Sequence, residues 1–110
     1  NEEPIYLRPP YGNTNQNIKN ISNMYTILWN LDTEDWKYKN VERISNYIVD
    51  NAKDGSIVLL HDLYETSVDG ALLAMEKLEK EGYAFVTIDE LAKLKNIELN
   101  KEKSYFQIIN

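Results

Sequence analysis

The sequence predicts an α/β fold in which parallel strands alternate with helices. Short runs of apolar, β-branched and aromatic residues, which favour strands, alternate with segments whose apolar residues recur at helical spacing. Such alternation is typical of a parallel sheet with right-handed crossovers. In 110 residues the pattern describes one domain. Its four strand–helix units correspond either to half of an eight-fold barrel or to a small open sheet.

Two strands and two helices are predicted in the first half of the chain. The first strand ends before Pro9 and Pro10, which have no N–H group to continue sheet pairing. Asn40 has the residue type of an N-cap for the second helix. In order, the elements are a strand over 5–7, a helix over 14–23, a strand over 25–29 and, after a polar loop over 30–38, a helix that ends at Asp54-Gly55.

The second half is predicted to continue the alternation. The continuous apolar run over 56–60 is typical of a strand buried on both faces. The helix that follows is expected to bury Ala71, Leu72, Met75 and Leu78. The elements are a strand over 56–60, a helix from about Ser67 to a glycine cap at Gly82, a strand over 84–88, a short helix capped by Asp89 that runs to Leu94, and a small closing strand within 105–109.

Composition excludes several classes of function. The net charge of −6 argues against nucleic-acid binding, which needs a basic surface. The sequence contains no run of about 18 apolar residues, so no membrane span is predicted. The absence of cysteine excludes disulfides and thiolate zinc sites. No phosphate-binding loop, dinucleotide fingerprint or nucleophile elbow is present either.

Polar residues of unusual composition follow the first three predicted strands. Taken alone, each has an ordinary structural explanation, such as turn chemistry for the aspartates. Parallel strands, however, bring their carboxyl ends to one edge, where α/β enzymes carry their sites. An imidazole beside a carboxylate can exchange protons near neutral pH, and an arginine can hold a second carboxylate ionised. The pattern predicts a hydrolase for a carbohydrate-like substrate, with a site built from Arg8, Asp32, Asp35, Trp36, His61 and Asp62.

Three segments closely resemble motifs of one enzyme family. They are Arg-Pro-Pro-Tyr-Gly at 8–12, Trp-Asn-Leu-Asp-Thr-Glu-Asp-Trp at 29–36 and Ile-Val-Leu-Leu-His-Asp at 57–62. They resemble the third, fourth and fifth motifs of the NodB-type polysaccharide deacetylases, carbohydrate esterase family 4, and residues 82–91 resemble that family's last strand and helix. The resemblance implies the C-terminal half of a distorted (β/α) barrel, so residues 1–110 are assigned to the C-terminal half of a NodB homology domain.

The resemblance also implies a role for each matched residue in metal-dependent removal of acetyl groups. His61 would be the general acid, Asp35 would keep it protonated, and Arg8 would orient the catalytic base. The backbone N–H of Tyr11 would bind the oxyanion. The remaining matched residues would shape or brace the site: Pro10, Trp36 and Leu59 around the acetyl group, and Asp32 within its own loop.

Two earlier motifs of the family have no counterpart in this sequence. One is a Thr-Phe-Asp-Asp strand end with the catalytic base and a metal ligand, and the other is a His-Ser/Thr-x-x-His turn with two more ligands. With one histidine and no cysteine, the chain does not supply such a ligand set. Zinc or another divalent metal is therefore expected only in the complete domain. We expect the chain alone to be inactive, and to associate with a missing half or with itself through exposed sheet edges.

Three functional interpretations stay open. The first is half of a deacetylase that acts on peptidoglycan or on a chitin-like polymer, with acetylxylan as an alternative substrate. The second is a non-catalytic carbohydrate-binding fragment, and the third is a purely structural unit. The presence of Arg8, Asp35 and His61 together favours the enzyme. The resemblance further implies an extracellular or cell-envelope location, with any export signal preceding residue 1.

Overall fold

A computed structural model describes residues 4–109 of the chain. A single turn of 3₁₀ helix at Pro10–Gly12 follows the first strand. The regular elements, in chain order, are β1 (Tyr6–Leu7), α1 (Gln16–Ser22), β2 (Tyr25–Ile27), β3 (Leu31–Asp32), α2 (Val41–Asn51), β4 (Val58–Leu59), α3 (Glu65–Lys80), α4 (Ile88–Leu94) and β5 (Ser104–Tyr105).

The strands form two small parallel sheets. One has the order β1-β2-β5, and the other pairs β3 with β4. Asn30 connects β3 to the chain before β4, because its N–H donates to the Ile57 carbonyl (3.0 Å) and its Oδ1 accepts from the Ile57 N–H (2.8 Å). The predicted α/β class, with parallel strands and intervening helices, is confirmed.

The predicted polar loop over 30–38 was wrong in one respect, because it contains β3. A two-residue strand flanked by polar residues carries no alternating pattern that could reveal it. Its existence depends on pairing with β4, in the register Leu31 with Val58 and Asp32 with Leu59.

Side-chain caps set the start of three helices. Asn40 Oδ1 accepts the Arg43 N–H at 2.9 Å, as predicted, and Asn15 caps α1 in the same way. The predicted cap at Asp89 was wrong. Thr87 is the N-cap of α4, and its Oγ1 accepts the Glu90 N–H at 3.2 Å.

Helices α2 and α3 pack against each other around a buried cluster. The cluster contains Ile44 and Ile48 from α2, and Ala74 and Leu78 from α3. The packing is close because Gly70 has no side chain: a Cβ added there would lie 2.7 Å from Ile44 Cγ2.

The predicted buried face of α3 was right at Leu78 and wrong at Leu72 and Met75, and Ala71 is only partly buried. The buried residues of this helix are Ser67, Gly70, Ala74 and Leu78, whereas Leu72 is 58% exposed and Met75 is 38% exposed. The contact with Ile44 selects a stripe of small residues, and a pattern based on large apolar side chains does not reveal such a stripe.

Two predicted strands also differ from the structure. Residues 84–88 form no strand, since 84–87 have no regular structure and Ile88 begins α4. Their β-branched and aromatic composition favours a strand only where a partner strand supplies hydrogen bonds, and no strand within 4–109 pairs with them. The run over 56–60 contains only β4, and Val58, Leu59 and Leu60 are half-buried rather than buried on both faces. None of the helices in the described range has the length and apolar character needed to cross a membrane.

Candidate active site

A cleft of about 820 Å³ lies at the carboxyl ends of the strands. It receives side chains from the turn after β1, the end of β2, the loop after β3, and β4 with the residues that follow it. Its lining residues are Arg8, Pro9, Pro10, Tyr11, Trp29, Asp32, Trp36, Leu59, Leu60 and His61. Of the nine site residues predicted from the sequence, seven line this cleft. Asp35 is fully buried and contacts His61, and Asp62 is exposed and is not among the lining residues.

The pairing of β3 with β4 brings Asp35 and His61 together. Asp32 is opposite Leu59 in the register, so the loop that leaves β3 runs beside the residues that leave β4. Thr33 is buried, and its Oγ1 donates to the Leu59 carbonyl at 3.0 Å, which ties the two segments together. Within the same loop, Asp32 Oδ1 accepts the N–H of Glu34 at 3.0 Å. The loop is thus held by its own side chains where it passes the cleft.

Asp35 accepts three hydrogen bonds from within the chain. Its Oδ1 lies 2.7 Å from His61 Nδ1, and its Oδ2 accepts from the His61 N–H and from Ser67 Oγ, each at 2.6 Å. Burial acts to raise the pKa of Asp35, but the hydrogen bonds from Ser67 and from the ring and backbone of His61 outweigh it and lower that pKa below its usual value. The carboxylate is therefore ionised at neutral pH.

His61 is the group of this pair that solvent and ligands can reach. Its side chain is 41% exposed, while that of Asp35 is 0% exposed. Because an ionised carboxylate is an acceptor only, His61 Nδ1 carries a proton in this contact. The other ring nitrogen, Nε2, is then the atom that can exchange a proton with a molecule in the cleft.

Arg8 brings a fixed positive charge to the cleft. Its Nε and Nη2 donate to the Ile27 and Leu28 carbonyls at 3.3 and 3.0 Å, and its guanidinium carbon lies 5.7 Å from the centre of the Trp29 ring. Partial burial lowers the pKa of Arg8 below its usual value, although a guanidinium remains charged. No carboxylate within residues 4–109 forms an ion pair with it.

The turn after β1 leaves one backbone N–H free to bind a ligand. Pro9 and Pro10 have no N–H, while the N–H groups of Gly12 and Asn13 donate to the carbonyls of Pro9 and Pro10 at 3.0 and 3.1 Å. The N–H of Tyr11 has no partner in the part of the chain that the structure describes. Tyr11 also has a positive φ of 57°, a strained conformation that is concentrated at functional sites.

Four residues at the site were not predicted from the sequence: Pro9, Trp29 and Leu60 line the cleft, and Ser67 contacts Asp35. Trp29 lies in the cleft between Arg8 and Gly12, where a Cβ added to Gly12 would be 3.1 Å from the Trp29 ring. Its position at the end of a predicted strand, like that of Arg8 and His61, was an available signal. Ser67 gave no such signal, because a serine near the start of a helix is common for reasons of capping.

The residues present do not form a metal site. Within residues 4–109 no three histidine or carboxylate side chains lie close enough to hold an ion. Asp35 and His61 are hydrogen-bonded to each other, and the carboxylate also accepts from Ser67.

Comparison with known proteins identifies relatives with named activities, although no protein-family model matches the chain. The peptidoglycan-N-acetylglucosamine deacetylase PgdA of Listeria monocytogenes is 42% identical over 88 residues, which are 80% of this chain and 19% of that protein. The solved structure of the peptidoglycan deacetylase PdaC from Bacillus subtilis matches with a TM-score of 0.83 and 38% identity, over 86% of this chain and 47% of that one.

A more distant structure has the same fold. A family 4 acetyl xylan esterase from Clostridium thermocellum, solved in complex with a cobalt ion, matches with a TM-score of 0.88 and 25% identity, over 97% of this chain and 55% of that one. This chain therefore spans about a fifth of the PgdA relative and about half of each solved structure. In sequence and in fold the chain is similar to peptidoglycan deacetylases and to a family 4 esterase, in line with its resemblance to the NodB-type polysaccharide deacetylases of carbohydrate esterase family 4, and it spans about half the length of each solved structure.

Proposed function

We propose that this chain supplies the proton-donating and oxyanion-binding part of a polysaccharide deacetylase, and that residues 1–110 are the C-terminal half of its NodB homology domain. The observation that carries the proposal is the pair formed by buried Asp35 and half-exposed His61, 2.7 Å apart, at the edge of the cleft. A structural role alone does not require an ionised carboxylate to hold the ring of an accessible histidine.

The role of His61 follows from the chemistry of amide hydrolysis. An amide nitrogen is a poor leaving group until it receives a proton, so a positioned acid accelerates cleavage of the C–N bond. His61 Nε2 gives its proton to the nitrogen as that bond breaks. Asp35 stays ionised, keeps the ring oriented through Nδ1, and stabilises the imidazolium before the transfer.

The cleft walls provide groups for the rest of the acetamide. The free N–H of Tyr11 is a donor for the oxygen that becomes negative when the carbonyl is attacked. Trp36 and Leu59 offer apolar surface for the methyl group, and Pro10 borders the same space. Arg8, fixed by two carbonyls, orients a carboxylate supplied by the other half of the domain.

We assign the metal to the other half of the domain as well. The related esterase was solved with cobalt, and zinc or another divalent ion is proposed for the complete deacetylase. The described residues include no group of three side chains that could hold the ion, so its ligands are proposed to lie in the other half.

Peptidoglycan is the proposed substrate because relatives that are 39–42% identical over 80–86% of this chain are named for it. Chitin-like polymers and acetylxylan are the alternatives, since a chitooligosaccharide deacetylase and an acetyl xylan esterase are also among the matches. Peptidoglycan lies outside the cytoplasmic membrane, so we propose an extracellular or cell-envelope location.

The test joins the chain to the part of PdaC that it does not cover. A hybrid of that part with residues 1–110 is expected to release acetate from N-acetylated peptidoglycan when a divalent metal is supplied. The matched control is the same hybrid with His61→Ala, which should lose activity by a factor of about 10² to 10⁴ while still binding peptidoglycan. A folded hybrid without activity, or one that His61→Ala leaves active, would contradict the assignment.

Native mass spectrometry of the purified chain tests the incompleteness of the site. We expect the 12.9 kDa chain, or homo-oligomers of it, without stoichiometric zinc. Tight binding of one zinc per chain would contradict the assignment of the ligands to another half. Sugar binding by a chain whose hybrid has no activity would favour a carbohydrate-binding fragment instead.

A further inference from the structure

Ser67 carries a buried hydroxyl that contacts the pair formed by Asp35 and His61, here called the dyad, rather than its own helix. It lies in the first turn of α3, is 1% exposed, and its Oγ is 2.6 Å from Asp35 Oδ2. The cleft-lining side chains do not include it, so it does not touch a ligand there. Its contact is with the oxygen of Asp35 that does not contact the His61 ring.

We propose that Ser67 is the positioning residue of the dyad: its hydroxyl fixes Oδ2 of Asp35 and thereby keeps Oδ1 turned toward His61 Nδ1. With Oδ2 held by Ser67 Oγ and by the His61 N–H, rotation of the carboxylate about its Cβ–Cγ bond would break two short hydrogen bonds. The ring of His61 is thus oriented by a hydrogen-bonded chain, Ser67 to Asp35 to His61, that begins on α3.

The start of α3 reinforces this arrangement. Ser67 is the third residue of a 16-residue helix, so the carboxylate that it contacts lies beside the first helical turn. The N-terminal end of a helix carries partial positive charge and favours an anion nearby. Both effects keep Asp35 charged, which the hydrogen bond to His61 Nδ1 requires.

Ser45 provides a matched comparison. It is a fully buried serine of α2, and its hydroxyl has no hydrogen-bond partner among the described residues. Truncation of Ser45 therefore removes a buried hydroxyl without touching the dyad. The two serines separate a general effect of losing a buried hydroxyl from the specific effect on Asp35.

The inference rests on the proposed function for its catalytic meaning, but its test does not need activity. His61 is the single histidine of the chain, so the ring signals in an NMR spectrum belong to it without further assignment. The Nδ1 proton, held by the carboxylate, is expected to resonate at low field until Asp35 becomes protonated on acidification. Other charged groups around the pair are Arg8 and Asp32 in the cleft, Asp62 and Glu65 along the chain, and Lys39, which lies over the Tyr64 ring beside His61.

Ser67→Ala is expected to raise the pH at which this signal disappears by roughly one unit, because the carboxylate loses a hydrogen bond that favours its charged form. Ser45→Ala should leave it unchanged. Ser67→Cys, with a similar volume and a weak donor, should fall between the two, and it provides the test if Ser67→Ala does not fold. An unchanged titration in whichever Ser67 variant folds, or an equal shift in Ser45→Ala, would overturn the proposal.

Activity adds a second and separable readout. In the hybrid deacetylase, Ser67→Ala should lower kcat roughly ten- to a hundredfold with little change in KM, since Ser67 is not part of the cleft wall. An inactive hybrid whose NMR titration still responds to Ser67→Ala would contradict the proposed function and leave the positioning role intact. An active hybrid that is insensitive to Ser67→Ala would overturn the positioning role alone.

Discussion

The cleft and the segment over residues 83–87 differ in whether other parts of the chain supply their hydrogen-bond partners. Around the cleft, the buried carboxylate of Asp35 accepts three hydrogen bonds, and all three donors come from within the chain. In the segment, Phe85 and Val86 are 44% and 38% exposed, and no strand among residues 4–109 pairs with them. The segment borders a groove of about 610 Å³ whose lining includes apolar residues of α2, β4, α3 and α4.

The difference separates the features that this chain organises by itself from those that it does not. The dyad depends on the pairing of β3 with β4 and on the first turn of α3, which are both present. A strand at 84–87 depends on a neighbouring strand, and nothing in the described part of the chain supplies one. The Asp35–His61 pair is thus preformed, whereas part of the sheet framework is not.

The largest effect is expected from Asp35→Ala. The substitution leaves the buried hydroxyl of Ser67 and the N–H of His61 without their acceptor, and it should lower the free energy of unfolding by about 2–4 kcal/mol. Denaturant titration of the purified chain measures this. The control is Asp32→Ala, in which an exposed carboxylate loses one contact with the Glu34 N–H, at a cost of about 1 kcal/mol or less. Equal losses in the two variants would mean that the dyad is not the better-organised feature.

Acid is expected to weaken the cleft region through the same residue. The pKa of Asp35 is lower in the folded chain than in the unfolded chain, so its contribution to stability is present above the unfolded value of about 3.9 and is lost as pH falls through the folded value. The free energy of unfolding should therefore decline below about pH 4. Asp35→Asn should show a shallower decline over the same interval. Parallel curves for the two proteins would assign the acid sensitivity to other carboxylates.

The same contrast explains which features of the fold and the site could be predicted from the sequence. Arg8 and His61 were predicted to lie at one edge because each comes soon after a parallel strand, whereas the position of Asp35 beside His61 also depends on β3, which the sequence did not predict. The N-cap at Asn40 was equally accessible, since it depends on residues within one helical turn. These features are local, or they follow from topology.

Features that depend on packing could not be obtained in the same way. The buried stripe of α3 is set by the approach of Ile44 to Gly70, and the role of Ser67 is set by a carboxylate 32 residues earlier in the chain. The two-residue strand β3 exists through its pairing with β4. Conversely, residues 84–88 have the composition of a strand without a partner. In each case a contact distant in sequence decided the outcome.

A smaller effect is expected from Tyr6→Phe, which tests the link between the sheet and α4. The Tyr6 hydroxyl donates to Asp89, and burial together with that contact raises the pKa of Tyr6 to about 12. Tyr6→Phe should lower the free energy of unfolding by about 0.5–1.5 kcal/mol at neutral pH. Because the neutral hydroxyl is favoured in the folded state, this difference should persist below about pH 10 and vanish as pH rises through about 12. A difference that does not change with pH would mean that the hydrogen bond contributes nothing to it.

The smallest effect on stability is expected from the segment itself. The double substitution Phe85→Thr and Val86→Thr should change the free energy of unfolding by no more than about 0.5 kcal/mol, because both side chains are partly exposed and β propensity is retained. Its effect should be on association instead. Among the described residues, 84–86 make no backbone hydrogen bond, whereas Tyr83 and Thr87 at the ends of the segment do. An apolar stretch with free backbone groups is a template for another strand, so the chain is expected to self-associate through it and the variant to do so less.

Sedimentation velocity over a range of concentrations measures this, with Ile21→Thr as the control. Ile21 is an apolar side chain of α1 that is 85% exposed, but its backbone belongs to a helix and offers no strand edge. If exposed apolar area alone drove association, the control would reduce it at least as much as the double substitution. If the unpaired segment drives association, only the double substitution will reduce it, because association then needs free N–H and C=O groups beside the apolar surface. The second outcome would identify 83–87 as a place where a further strand joins this chain.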